Sequence, residues 1–367
     1  MIVWAAIILV ALLVVQDVLL LILFLYNYKN HSEQDQEKSD WPSVSVIMTA
    51  RNESAVLAEC LKAFELIDYP RNKIEFIIGN DQSEDETPSI LSVWASNDNQ
   101  RTHVEIQPLY SHINGKANAL AQLIEKSKGE LLLLTDADCK VGKQWAKEMV
   151  KAYQPKFGLV VGVTQVAGKN LFEKLQGLEW WQTLGMIKVT SDLGFLLTAM
   201  GNNMLVSREA YENVGGYEGL FFSVTEDFSL GEAVKAAGYK PVHQFSSASL
   251  IDTKGEKNLL TLLIQRKRWM WGARTLPMKW QLLLLLQVMF YPCIFVLLTF
   301  FPIEAGLVWG GKWIMQSLFI KSLAKKAGQV VPLFQLIIFE VYYPVISWST
   351  IVYYFWPSKI KWKERKY

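Results

Sequence analysis

The 367 residues hold 37 lysines and arginines against 35 aspartates and glutamates, and a net charge of +2 gives no electrostatic footprint for nucleic acid. The hydrophobic fraction of 51% and the 14 tryptophans exceed what a soluble enzyme carries, and the excess lies in blocks near the two ends. Cys60, Cys139 and Cys293 are odd in number, widely spaced and without a Cys-x-x-Cys pair, so neither a disulfide framework nor a zinc cluster is indicated and a reducing compartment is compatible.

Residues 2–26 form a nearly unbroken apolar run interrupted by Asp17, long enough to cross a bilayer of about 30 Å. No basic start or small-residue cleavage pattern accompanies it, so 1–28 reads as a retained anchor. Residues 29–42 are polar and read as a linker. From 43 to 258 strands alternate with helices. Strands are expected at 44–49, 74–79, 104–108, 131–135 and 159–164, and helices at 55–66, 88–95, 116–126 and 144–153. This is an α/β pattern with a mostly parallel sheet. No phosphate-loop pattern or dinucleotide glycine fingerprint is present.

Beyond Gly168 the strand pattern stops, and Leu171, Phe172, Leu175, Leu178 and Trp181 recur at helical spacing. Trp180, Trp181 and Met186 suit either the domain core or a membrane interface. A helix within 259–280 places Gln265, Arg268 and Trp269 on one face. In 281–356, blocks 282–302 and 305–320 read as spans. Block 331–356 contains Glu340 and Pro344 and reads as a span lined by an acid or a hairpin broken at the proline. Basic segments at 266–279 and in the tail 357–367 favour a membrane surface, with the α/β middle on the cytoplasmic side. Lys321, Lys325 and Lys326 conflict with that tail, because the two flank the third block and cannot share a side if it crosses once.

The stretch 130–139 organises the chain. Leu131, Leu132, Leu133 and Leu134 are apolar without alternation, as a strand covered on both faces should be, and they deliver Asp136 and Asp138 to its end. Open α/β sheets bind ligands at the carboxyl ends of their strands. Two carboxylates there suit Mg²⁺ or Mn²⁺, which take few protein ligands and leave the rest to water and phosphate. The competing reading is a turn, which aspartate also favours.

Four signals then carry a family resemblance: 80–87 (Asn-Asp-Gln-Ser-Glu-Asp-Glu-Thr), Asp136-Ala137-Asp138, Thr225-Glu226-Asp227, and Gln265 to Trp269 as Gln-x-x-Arg-Trp. In order and spacing the chain resembles the processive membrane branch of family 2 of the inverting glycosyltransferases, the group of cellulose and hyaluronan synthases and ceramide glucosyltransferases. Asn80 stands where that family has an acid and Gln82 where it has glycine. The resemblance implies a GT-A-type α/β domain, a UDP-sugar donor, Mg²⁺ or Mn²⁺, and inverting hexosyl transfer to a carbohydrate or lipid acceptor at the membrane. Among enzymes the runner-up is transfer of a single sugar to a membrane lipid rather than polymer extension, and a non-catalytic membrane scaffold is the reading from another class. A bacterial-type inner membrane is the expected location.

Residue by residue, the resemblance implies nucleotide-sugar contacts from Arg51, Glu53, Asp81, Asp85, Lys116 and Asp136, with Asp81 meeting the uracil. Asp138, with Asp136, would be the metal ligand. Asp227 would be the catalytic base, with Glu226 next in line. Arg268 would meet the diphosphate and Trp269 the acceptor sugar, beside Gln265, while Gly201 and Asn202 would line the acceptor side. Plainer roles exist for several: Asp85 suits a helix N-terminus, Asn52 or Ser54 a cap, Thr225 the cap ahead of Asp227, and Gly201 a loop. His31, His103, His112 and His243 have no metal-like spacing and read as structural or surface residues.

Overall fold

The computed structural model describes residues 1–33, 40–195, 197–358, 361–362 and 365–366. The chain opens with helix α1 (Ile2–Tyr26). It continues through β1 (Val44–Ala50), α2 (Ser54–Glu65), β2 (Ile74–Asn80), α3 (Thr87–Ser96), β3 (Arg101–Glu105), α4 (Gly115–Lys126) and β4 (Leu131–Asp136). Next come β5 (Cys139–Val141), α5 (Trp145–Ala152), β6 (Leu159–Val161), β7 (Val163–Val166), α6 (Leu171–Asp192), β8 (Asn203–Ser207), α7 (Arg208–Asn213), α8 (Glu226–Ala236), β9 (Val242–His243) and β10 (Leu250–Thr253). Four helices follow: α9 (Leu259–Ala273), α10 (Met278–Phe300), α11 (Pro302–Lys326) and α12 (Leu333–Phe355).

Seven strands form the main sheet in the order β3-β2-β1-β4-β8-β6-β9, and β5-β10-β7 form a second, smaller sheet. Strands β1, β2, β3 and β4 run parallel, while β8 is antiparallel to β4 and β6. The leucine run of β4 explains the layering. Leu131 and Leu133 enter a core with Leu57, Phe64 and Trp145, whereas Leu132 and Leu134 enter another with Ala117, Leu120 and Leu230. Helices therefore cover both faces, each buried leucine contributing about 1.5–3 kcal/mol, and no polar alternation is required.

Three expectations about the strands need correction. The strand expected at 159–164 is two strands in two sheets, parting at Gly162, where a Cβ would lie 2.3 Å from Asn203 Oδ1 and only glycine fits. The strand at 104–108 begins earlier, at Arg101. Strands also resume beyond Gly168: β8, only five residues long, lies inside the main sheet beside the central β4 and pairs with it from Leu131↔Ser207 to Thr135↔Asn203.

Helix α6 is the junction between the α/β domain and the remaining helices. Its Leu175, Leu178, Trp181 and Leu184 share a core with Leu21 and Phe24 of α1, Phe319 and Leu323 of α11, and Phe339 and Tyr342 of α12. Gly185 permits the close approach of α11, since a Cβ there would lie 2.2 Å from a Leu323 methyl. The polar stretch after α1 is fastened to the domain. Lys188, fully buried, donates to Asp192 Oδ1 (2.7 Å), the His243 carbonyl (2.9 Å) and the Lys29 carbonyl (2.6 Å), and the Tyr28 hydroxyl donates to the Phe245 carbonyl. His31 donates its backbone N–H to Gln244 Oε1 at 2.9 Å. Residues 34–39 of the expected linker, and most of the basic tail at 359–367, lie outside the described residues.

Among the described residues three helices are long and apolar enough to cross a membrane: α1, α10 and α12. Block 305–320 is part of α11, which does not meet that measure and carries Glu304, Lys312 and Lys321. Block 331–356 is one helix that continues through Pro344 rather than breaking there. Its Glu340 accepts from Tyr291 Oη (3.1 Å) and Trp309 Nε1 (2.6 Å), with buried Lys312 at 3.9 Å.

Candidate active site

Strands β1, β2 and β4 end in register, Ala50 opposite Asn80 and Thr49 opposite Asp136, so the segments leaving them converge on one edge. Arg51 donates Nη1–H to the Asp81 carbonyl at 2.9 Å, joining the first two segments, and Asp81 itself is buried. Asn52 takes a left-handed backbone (φ 52°), and its side chain accepts from Glu84 N at 2.8 Å. Asp85 bridges two helix starts, accepting from Ser54 N and Thr87 N at 3.0 Å each. These bonds to the charged form hold its carboxyl well below the usual range despite some desolvation. The cap of α2 is thus supplied by Asp85, not by Asn52 or Ser54.

Around the β4 terminus two lysines bind four carboxylates. Lys116, near the N-terminus of α4, lies 2.6 Å from Asp136 Oδ1 and 3.3 Å from Glu226 Oε1. Lys254, just past β10, lies 2.9 Å from buried Glu53 Oε2 and 3.4 Å from Asp138 Oδ2. Burial opposes the charge on Lys116, but Asp136, Glu226 and Asp227 together hold its ammonium above the ordinary value. Glu226 also accepts from Asn114 Nδ2 at 3.2 Å, and Asn114 in turn caps α4 by accepting from Ala117 N at 2.8 Å.

Asp227 sits half-buried in the first turn of α8 and accepts from Gly201 N at 2.7 Å and Phe228 N at 2.8 Å. Burial first, then repulsion from Glu226, pushes it up to about 6 in spite of Lys116 and these two bonds. The geometry places Gly201 directly behind Asp227: a Cβ there would lie 3.1 Å from the Asp227 Cβ. Asn202 accepts from Thr164 Oγ1 at 3.2 Å. Thr225 makes no side-chain cap; its hydroxyl lies 3.3 Å from Ser223 Oγ and faces Gly272 of α9.

On α9, Gln265 donates to Glu256 Oε1 at 3.1 Å. Trp269 lies against Trp180 of α6 (ring centroids 5.4 Å apart, 69° between planes) and under the Arg266 guanidinium at 4.2 Å. Arg266 is itself paired with Glu179 at 3.0 Å, and Arg268 stands half-exposed on the same helix. Sequence reasoning missed Lys254 and Asn114. Lys254 lies beyond the acidic motifs without a motif of its own; Asn114 carried a signal, being an asparagine directly before Gly115 where a helix cap belongs.

The donor set tests the fit of a divalent cation. Asp136 and Asp138 each already face a cationic nitrogen, and hard carboxylate oxygens at one strand end suit Mg²⁺ or Mn²⁺. Among the described residues no group of three or more His, Cys, Asp or Glu side chains is arranged to hold a metal, so a cation here would draw further ligands from water and a diphosphate.

Comparisons with known proteins fit this geometry. The chain is 27% identical over 246 residues to a beta-monoglucosyldiacylglycerol synthase of Nostoc sp., covering 65% of this chain and 51% of that protein. It is 26% identical over 235 residues to a poly-beta-1,6-N-acetyl-D-glucosamine synthase of Staphylococcus epidermidis, covering 63% and 54%. The chain thus spans about half the length of the curated relatives it matches. Among solved structures, a mannosyltransferase of Pyrobaculum calidifontis in complex with GDP-Man and Mn²⁺ superposes with a TM-score of 0.56 at 17% identity, covering 98% of this chain and all of that one. The fold is therefore the GT-A glycosyltransferase fold with membrane helices. The model of glycosyl transferase family 21 matches residues 4–367, and the chain belongs to that family.

Proposed function

We propose that this chain is a membrane-bound inverting hexosyltransferase that moves one sugar from a UDP-sugar to the hydroxyl of a membrane lipid, with its α/β domain on the cytosolic side. The observation that carries the reading is Asp227: a carboxylate pushed up to about 6, fixed by Gly201 N and one residue from Glu226, which lies across Lys116 from Asp136. A base is most effective when its pKa lies near the working pH. Asp227 takes the proton of the acceptor hydroxyl as that oxygen bonds to the anomeric carbon. The carbon's bond to the diphosphate oxygen breaks on the opposite face, UDP departs with the electron pair, and the configuration inverts.

The remaining residues hold and neutralise. Arg51, Glu53, Asp81 and Asp85 form the strand-end segments that would receive the nucleotide, and Lys116 would turn toward phosphate. Asp136 and Asp138 would hold Mg²⁺ or Mn²⁺, which when bound supplies positive charge to the leaving diphosphate. The local charge supports that need: Glu53, Asp136, Asp138 and Glu226 cluster around Lys116 and Lys254 with Asp227 beside them, so an incoming diphosphate meets carboxylates that a divalent cation would screen. The manganese in the mannosyltransferase complex agrees with this, while its GDP-mannose keeps the base of the donor a point to test. Arg268 would meet the diphosphate, with Gln265, Trp269 and Asn202 nearer the acceptor.

A lipid acceptor is supported by the glucosyldiacylglycerol synthase relatives. Processive polymer extension, as in the family 2 synthases, is the second reading and is supported by the poly-N-acetylglucosamine synthase relative. The test is to hold the full chain in lipid nanodiscs containing diacylglycerol, supply UDP-sugars or GDP-mannose with Mn²⁺, and weigh the lipids. A gain of one hexose from a UDP-sugar is expected. A ladder of products selects the polymer reading, and transfer from GDP-mannose alone overturns the UDP assignment.

A further inference from the structure

Length and apolarity select α12 as a membrane crossing, but its contacts do not. We propose that α12 begins and ends on the catalytic side of the membrane and lies along the α/β domain with its outer face in lipid, while α11 crosses in its place.

The sidedness follows from the other helices. Helix α1 runs antiparallel to α10: Asp17 pairs with Gln287 at 3.3 Å, while Ala6 and Val10 share a core with Ile294 and Leu297. The end of α1 is tied to the domain through Tyr28 and Lys29, and α10 begins five residues after α9. Phe300 at the end of α10 therefore belongs to the far side. Helix α11 starts there and returns, since its Phe319 meets Phe24 (ring centroids 5.9 Å) and its Lys326 ammonium stands 4.4 Å over the Tyr28 ring. The interruption at Lys312 is tolerable in a crossing helix because that ammonium is buried against Tyr291 Oη (3.1 Å) and Glu340.

Both ends of α12 then border the domain side. Gly328, shortly before it, stands against Ser247, where a Cβ would lie 3.2 Å from the serine Cβ. At its other end the Trp356 and Ser358 carbonyls accept from Lys267 Nζ of α9 at 2.8 and 3.0 Å, and Ser358 Oγ lies 2.8 Å from the same nitrogen. Between these points Phe339, Tyr342 and Ile346 face α6, and Phe172 meets Tyr342 with ring centroids 6.1 Å apart. The opposite stripe, Phe334, Val341, Val345, Trp348, Val352 and Phe355, is exposed and apolar at helical spacing. The bilayer is the occupant because this stripe belongs to the same helix cluster as α1 and α10, whose outer faces are equally apolar. The arrangement also removes the charge conflict read in the sequence: Lys321, Lys325 and Lys326 before α12 and the basic residues after it fall on one side.

The test uses single cysteines in the full chain, whose native Cys60, Cys139 and Cys293 are all buried. Val330→Cys and Pro357→Cys flank α12, Ile303→Cys marks the far side, and Lys128→Cys marks the domain; all four positions are exposed. With a membrane-impermeant maleimide on oriented vesicles, positions 330, 357 and 128 should label in the same orientation and 303 in the opposite one. Labelling of 357 together with 303 makes α12 a crossing and overturns the proposal, as does labelling of 330 together with 303. A bimane label at Val345→Cys should be quenched by nitroxide lipids; quenching by aqueous iodide instead would remove the bilayer from that face. Neither readout needs transferase activity, so the outcome stands apart from the functional reading.

Discussion

Lys116 and Lys188 are both lysines held by carboxylates, yet their surroundings push them in opposite directions. Lys188, with Asp192 and two carbonyls as acceptors, is fully buried, and desolvation lowers it to about 8. Lys116 has 12% of its side chain exposed and faces three acidic residues, which raise it. At Lys188 the ammonium meets three acceptors within the fold, so the network fastens α1 to the domain. At Lys116 the ion pairs join the end of β4 to the start of α8, at the edge where the parallel strands end. Position at the carboxyl ends of the parallel strands, rather than an ion pair as such, separates the candidate site from the structural network.

The largest difference should follow loss of Asp138. Asp138→Ala, or excess EDTA on the native chain, should reduce transfer at least about 100-fold while thermal stability changes little, because removing a charge-stabilising group at a reaction centre costs a factor of that order. Full turnover in EDTA would falsify metal dependence. Lys188→Met should do the reverse, leaving Asp192 buried without its cation at a cost of about 3–5 kcal/mol, with turnover per folded molecule unchanged. Its pH signature has a definite sign. The folded-state value of about 8 lies below the ordinary 10.5, so the unfolded chain holds the proton more tightly and native stability rises as pH climbs through that window. That rise should vanish in Lys188→Met, and its persistence would assign it to another group.

A subtler variant probes the reactive network. Lys116 lowers the Asp227 value, so Lys116→Met should move the acid limb of the rate profile up from about 6 by about one pH unit. An unmoved limb would mean the two groups are not coupled. The smallest effect is expected from Arg268→Lys, which keeps the charge but loses the bidentate fork. It should raise KM for the donor several-fold with kcat little changed, and wild-type KM would assign Arg268 to membrane anchoring.

Local pattern made the parallel half of the sheet legible. The leucine run of β4 named a covered strand, and its two aspartates named the edge where Lys116 and Lys254 now stand. What failed to show was long-range. Strand β8 is too short for its period to register, and it owes its place to pairing with a strand some 70 residues earlier. The need for glycine at 162, where the strand parts, comes from Asn203, and the fastening of Lys29 to Asp192 joins residues 163 apart. For α11 and α12, hydropathy reports what a helix tolerates in lipid, whereas Lys312 is sheltered by Glu340 and Tyr291 from neighbouring helices. Among the site residues, the Thr225-Glu226-Asp227 motif was readable, but Gly201 as the donor behind Asp227 required the fold.

The most direct measurement of the central claim is the pH profile of transfer by Asp227→Asn beside the native chain. A carboxyl pushed up to about 6 must lose its proton to act as a base, so native activity should rise through pH 6 and level off above it. The variant should fold, bind UDP, and transfer 10²–10⁴-fold more slowly, the ordinary cost of removing a positioned base, without that acid limb. Its thermal stability at neutral pH should equal or exceed the native value: the raised carboxyl is stabilising when protonated and loses that contribution as pH rises from 3.8 to about 6, a loss the amide does not suffer. Transfer within a few-fold of native, with the acid limb still in place, would contradict the account and pass the role of base to Glu226.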